Sequence, residues 1–279
     1  MTECEEAGLE SADGAGAVEA RVPKGARLSG VVRGLAAFGK RFAGSRWWAV
    51  TAAIVGAGPL LLFFGVGVYG HQIASAILLS ILCLGFVVDD RWCQCIAAIS
   101  LAFISHSLLA IALARSAPQR SSAVLPKAEA YWERQQSWIT TGINEEYEVS
   151  SWLPAHVQMF FGIAIFSFTS FGAVVFHDGF VQVDMMNYYN ARLALESENQ
   201  VRAIGFGWHL WSIMRGLGYL FVTYEMISLA HQFFARQTNS TGARRRLRWT
   251  LGISCLTADC VIKYFAVEAV RLRLYENLT

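Results

Sequence analysis

The chain has 279 residues, of which 54% are hydrophobic, 13% aromatic and only 16% charged, with a formal net charge of +2. A mean hydropathy of +0.38 sets it apart from ordinary soluble domains. The near-neutral balance, with no basic stripe interleaved with aromatics outside the apolar runs, excludes nucleic acid as a partner.

The first 46 residues divide by charge. Residues 1–20 hold six acids among Gly and Ala, a composition that cannot build a core. Residues 21–46 hold seven bases (Arg21, Lys24, Arg27, Arg33, Lys40, Arg41, Arg46) and no acid, with glycines at 30, 34 and 39 that weaken a helix. The segment 1–46 is therefore expected to be a disordered, acidic-then-basic tail. Its basic half abuts the first apolar run, which places the N-terminus in the cytoplasm.

Six apolar runs follow, at 47–69, 72–88, 92–114, 155–176, 209–230 and 249–270. The clearest, Trp92 to Ala114, carries no formal charge, and a helix of roughly 20 such residues crosses a hydrocarbon core of about 30 Å. Tryptophans at 47, 48, 92, 152, 208, 211 and 249 stand near the starts of these runs, where indole rings favour the headgroup level. The fold class predicted is an all-α, polytopic transmembrane helical bundle, an integral membrane protein whose first partner is the lipid bilayer. Its units are the tail 1–46, a three-span unit 47–114, an extramembrane loop 115–154, a second three-span unit 155–270 with a polar loop at 177–208, and a short tail 271–279. Two amphipathic segments, 127–141 and 181–195, read as helices lying in the interface and as a surface for a protein partner. Six crossings leave 12 Lys and Arg inside against 9 outside, with Arg244, Arg245, Arg246 and Arg248 on the outer side. Five crossings, with 209–230 entering and returning, fit the charge better; length and the Trp anchors favour six.

Chemistry concentrates in the last two runs. Arg215 and Glu225 share one face of 209–230, and Asp259 and Lys263 form an i, i+4 pair on 249–270. Each ion at bilayer depth costs about 2.5–3.5 kcal/mol, so the four are expected to face one another or water. Antiparallel packing puts Glu225 level with Asp259 and Lys263, and Arg215 near Glu268. The seam either binds an ion, a proton or a lipid headgroup, or locks the two helices together. His106 alone of six histidines lies mid-run, where it can meet Glu225 or bond a neighbouring serine; the others, His71 included, sit at run ends and read as inert. Asp178 and Asp184 belong to an acidic strip in the polar loop. No zinc-protease or serine-hydrolase motif occurs, and Cys93-x-Cys95 lacks the second pair that a four-ligand site needs, so no metal site and no cofactor are indicated.

Two functions fit these features. The first is a non-enzymatic multipass protein, a small transporter or channel subunit or a membrane assembly factor, with a charged seam between its last two spans. The second is a membrane enzyme acting on a lipid or isoprenoid, with carboxylates drawn from Asp178, Asp184, Glu225 and Asp259 converging on one pocket.

Overall fold

The structure, a computed structural model, describes residues 24–44, 47–63, 68–125, 127–236 and 241–278. The acidic stretch 1–20 lies outside the described residues. Twelve α-helices occupy the described residues: α1 (Lys24–Ala43), α2 (Trp48–Gly56), α3 (Leu60–Phe63), α4 (Val68–Val88), α5 (Trp92–Ser116), α6 (Pro118–Val124), α7 (Ala128–Thr141), α8 (Val149–Ser170), α9 (Ala173–Glu196), α10 (Gln200–Gly207), α11 (Leu210–Ala235) and α12 (Gly242–Leu278). Among them, α4 (from Tyr69), α5, α8 and α12 are long and apolar enough to cross a membrane. The protein is an all-α bundle and an integral membrane protein. Helix α8 shows why lipid rather than water is its solvent: Val157, Phe161, Ile165 and Phe166 all point outward, a contiguous apolar surface that water would disfavour.

The basic half of the tail is ordered from Lys24 onward, contrary to the expected disorder. Val32, Ala36, Gly39 and Ala43 form a small-residue stripe that docks on α4. A Cβ at Gly39 would stand 2.0 Å from the Ile81 carbonyl oxygen, so the two backbones touch where Gly39 crosses Gly85. Lys40 then reaches Asp89 at 2.7 Å. The opposite stripe, Val31, Leu35, Phe38 and Phe42, is exposed and meets the apolar surroundings. Packing thus overrides the weak propensity that the glycines confer.

The first apolar run is not one helix. It breaks at residues 57–59 because Pro59 has no N–H to bond the Val55 carbonyl, four residues back. Gly58 N (3.3 Å) and the Ser75 hydroxyl (3.0 Å) donate to that carbonyl instead. Gly56 lets α2 lie against α5: a Cβ there would come within 2.4 Å of the Ala102 carbonyl oxygen.

A larger correction concerns 177–208. Most of this segment is α9, which runs through the middle of the bundle rather than lying as a loop. After a tight turn at Phe171 and Gly172, both in the left-handed region, α9 descends beside α5 and α4. Phe180 stacks on Phe103 at 4.6 Å, Asp184 meets α5 one turn further on, and Tyr188 reaches Glu129 of α7. Its buried stripe is Phe176, Phe180, Asp184, Asn187, Ala191 and Ala194. The segment 181–195, expected in the interface, is therefore a core helix. Segment 127–141 is a helix, but Trp132, Gln135, Trp138 and Ile139 are buried inside the protein rather than in lipid.

The return of α9 changes the side on which the arginine cluster lies. It reverses the direction of everything downstream, so α11 runs toward the α4–α5 turn and α12 begins there. Arg244 (3.2 Å) and Arg248 (2.9 Å) both reach Asp90, next to the Asp89 that binds Lys40 of α1. The arginine cluster at 244–248 and the basic end of α1 thus share one end of the bundle, where the six-run reading had them on opposite sides.

Candidate functional site

The four seam residues are buried or nearly so, but their pairing differs from expectation. Helices α11 and α12 form an antiparallel hairpin, so residues equally far along the chain from its connection face each other. Arg215 therefore meets Asp259 in a two-pronged contact (3.0 and 3.2 Å), with His156 of α8 at 3.1 Å from the same carboxylate. Glu225 pairs with Arg248, with Arg245 at 3.5 Å, and not with Lys263. Lys263 leaves Asp259 as well: its ammonium donates to the Glu146 carbonyl at 2.8 Å and sits over the Tyr147 and Trp152 rings at 5.1 and 5.2 Å. Glu268 binds its neighbour Arg271 instead of Arg215. The expected register was off by roughly two and a half to four turns because it paired residues by charge without counting from the connection.

These are locks between helices. Each carboxylate is met by at least one guanidinium, as burial at this depth requires. At the far end, burial pushes the hydroxyls of Tyr131 on α7 and Tyr147, in the 3-10 turn at Glu145–Tyr147, well above the ordinary phenol range. Tyr147 donates to Gln135 at 2.8 Å, and its ring stacks on Trp138. The region closes the bundle with tyrosine hydroxyls that stay protonated.

A different constellation has the geometry of a working site. His71 of α4, His106 of α5 and Asp184 of α9 meet in the bundle interior, their nitrogen and oxygen ligand atoms all within 4.8 Å of one another. Both histidines are fully buried and Asp184 is 3% exposed. His106 Nε2 stands 2.6 Å from Asp184 Oδ1, and His71 Nε2 is 3.4 Å from Oδ2. Gln72 Nε2 donates to Oδ2 at 2.6 Å, anchoring the carboxylate from α4. Four side-chain atoms of these residues have no hydrogen-bond partner: Nδ1 and Nε2 of His71, Nδ1 of His106 and Oε1 of Gln72. That is unusual, since most buried polar atoms are paired.

The break in the first apolar run lies against this centre. Gly56 packs on Ser105 and His106, and a Cβ at Gly58 would stand 3.6 Å from the His71 ring. Two clefts, of about 30 and 60 Å³, are both lined by Asp184 and Leu125, the first also by Arg120 and the second by Lys127. Along α9, Asn187 is fully buried with both amide atoms unpartnered, one turn beyond Asp184.

No family model matches the chain, and no curated protein or solved structure matches it. The site therefore stands on its geometry.

Among the residues singled out from sequence, the fold brings together Asp184 and His106, places Asp178 on an exposed face of α9, and commits Arg215, Glu225, Asp259 and Lys263 to structural contacts. His106 meets Asp184, not Glu225. His71 was read as an inert run-end histidine and is a member of the centre. His71, His106 and Asp184 lie close enough together to hold a metal ion, a set that no sequence motif indicated. The Cys93-x-Cys95 pair does not converge: Cys93 is exposed, while Cys95 lies buried 3.3 Å from Cys83.

Proposed function

We propose that this protein is a membrane transport protein that passes a cation through its bundle by way of the His71–His106–Asp184 centre. The observation that carries this reading is the meeting of a carboxylate and two imidazoles, from three helices, at the break between α2 and α3. A continuous span has no use for such a break, whereas interrupted helices beside a buried polar site are a recurring device for holding ions mid-membrane. Ionisable groups at bilayer depth are costly, and they commonly mark ion or proton pathways.

Two alternatives fare less well. An enzyme acting on a lipid needs converging carboxylates and room for a chain, yet Glu225 and Asp259 are bound in ion pairs. The clefts lined by Asp184 hold water-sized bodies rather than an acyl chain. An assembly factor docking through 127–141 would need an apolar face free for a partner, and Trp132, Trp138 and Ile139 already pack inside. Orientation follows from charge: Lys40, Arg41, Arg91 and the arginines at 244–248 gather at one end, which the positive-inside tendency assigns to the cytoplasm.

The test is cation flux into liposomes carrying the purified chain, scanned across protons, alkali metals and divalent ions. His106→Gln and Asp184→Asn are each expected to cut the flux at least about tenfold. Asp178→Asn, on the exposed face of the same helix, should leave it unchanged. Wild-type flux from Asp184→Asn, or no flux of any cation from the wild type, would contradict the proposal.

A further inference from the structure

Resting on that reading, we infer that the cation is a divalent transition-metal ion of the zinc class, held by Nε2 of His71, Nε2 of His106 and a carboxylate oxygen of Asp184. The donor set selects it. Magnesium and calcium require oxygen ligands in number, whereas two imidazoles and one carboxylate suit zinc and its neighbours. The thiols that would favour copper(I) are elsewhere, since Cys83 and Cys95 face each other in the apolar cluster toward the Asp90 end.

Spacing agrees with chemistry. In a tetrahedral site with metal–ligand bonds of about 2.0–2.2 Å, neighbouring ligand atoms stand about 3.3–3.5 Å apart. His71 Nε2 and Asp184 Oδ2 are already at 3.4 Å. The His106–Asp184 contact, at 2.6 Å to the other oxygen Oδ1, is a hydrogen bond, so the carboxylate must turn to present one oxygen to both imidazoles as that contact opens. A neutral imidazole that offers Nε2 to a metal carries its proton on Nδ1. The Nε2 proton that His106 now shares with Asp184 therefore moves to Nδ1, which has no other partner. Gln72 does not ligate through nitrogen; by donating to Oδ2 it orients the carboxylate, and its own unpartnered Oε1 is available to a metal-bound water in the fourth position.

The charge balance suits passage rather than permanent retention. One carboxylate and two neutral imidazoles compensate half of a divalent charge. Arg120 lines one cleft and Lys127 the other, and both carry like charge. An ion held this way can leave, as a transported ion must.

The full-length protein, stripped with chelator in detergent, would be titrated with Co²⁺ as a visible probe of tetrahedral geometry and with Zn²⁺ by calorimetry. One ion per chain is expected, with Zn²⁺ displacing Co²⁺ and Mg²⁺ failing to do so. His71→Gln, His106→Gln and Asp184→Asn should each abolish the Co²⁺ spectrum. Gln72→Ala should weaken binding by about 10–100-fold, the usual effect of losing an outer partner. Folding of every variant is checked by circular dichroism, and the conservative substitutions keep the test valid if one of them fails to fold. Binding that persists in folded Asp184→Asn, or no binding by the wild type, would overturn the inference. Alkali-metal or proton flux that depends on Asp184 without any Zn²⁺ binding would overturn it too, while leaving the transport reading standing. Stoichiometric Zn²⁺ binding with no flux would keep the metal site and remove transport.

Discussion

Replacing Arg248 by methionine is expected to cost about 3–5 kcal/mol of stability, the largest effect of any single substitution in the ion-pair network. Arg248 is fully buried and serves two carboxylates at once, Glu225 of α11 and Asp90 of the α4–α5 turn, while its guanidinium lies over the Tyr224 ring. Methionine fills much of the volume but leaves Glu225 to a single contact with Arg245 at 3.5 Å. Asp90 suffers less, because Arg244 and the Tyr224 hydroxyl remain near it. Glu225→Gln alone should cost less, about 1–2 kcal/mol, since Arg248 keeps Asp90. The double variant Glu225→Gln/Arg248→Met should recover most of the loss, because a buried pair exchanged for neutral groups of similar size is often close to neutral. Thermal unfolding in detergent and folded yield measure all three. A single Arg248→Met variant as stable as the wild type would show that these charges hold nothing together.

The second large effect is all-or-none. With native cysteines removed, a cysteine at position 243 should react with an impermeant thiol reagent from the same side of the membrane as one at position 41. A cysteine at position 145 should react from the other side. All three positions are exposed, and the structure puts Ala243 and Arg41 at the Asp90 end and Glu145 at the opposite end. Six simple crossings without α9 would instead group 243 with 145. Labelling of 243 and 145 from one side would refute the return of α9, and with it the placement of Asp184 inside the bundle.

Why α9 was hidden is instructive about sequence itself. Read from residue 181, the stripe Val183, Met186, Tyr189 and Leu193 looks like one apolar face of an interfacial helix. Tyr189 and Leu193 of that stripe are buried, but the buried surface also takes in Phe176 and Phe180 before it and the polar Asp184 and Asn187 beside it. Polar residues at core positions break the apolar pattern wherever a function requires them, so hydropathy fails at the very helix that carries the site. The membrane class, the strongly apolar spans and the charged face shared by α11 and α12 were legible because each rests on a long periodic pattern. The pairing across α11 and α12 was not, because charge alone fixes no register and the hairpin connection does. His71 and His106, on adjacent antiparallel helices, meet Asp184 only through tertiary packing, and no local spacing announces a site drawn from three helices.

The basic tail shows the opposite failure. Glycines at 30, 34 and 39 lower helix propensity, and in a soluble chain that would favour disorder. Against α4 the same smallness allows backbone contact at Gly39, and packing supplies what propensity lacks.

X-ray absorption at the zinc edge of the zinc-loaded protein tests the His71–His106–Asp184 site. A first coordination sphere of nitrogen and oxygen at about 2.0–2.2 Å is expected, with the outer-shell signature of two imidazoles, lost in Asp184→Asn. A sphere containing sulfur at about 2.3 Å, or one unchanged by Asp184→Asn, would place the ion elsewhere and contradict it.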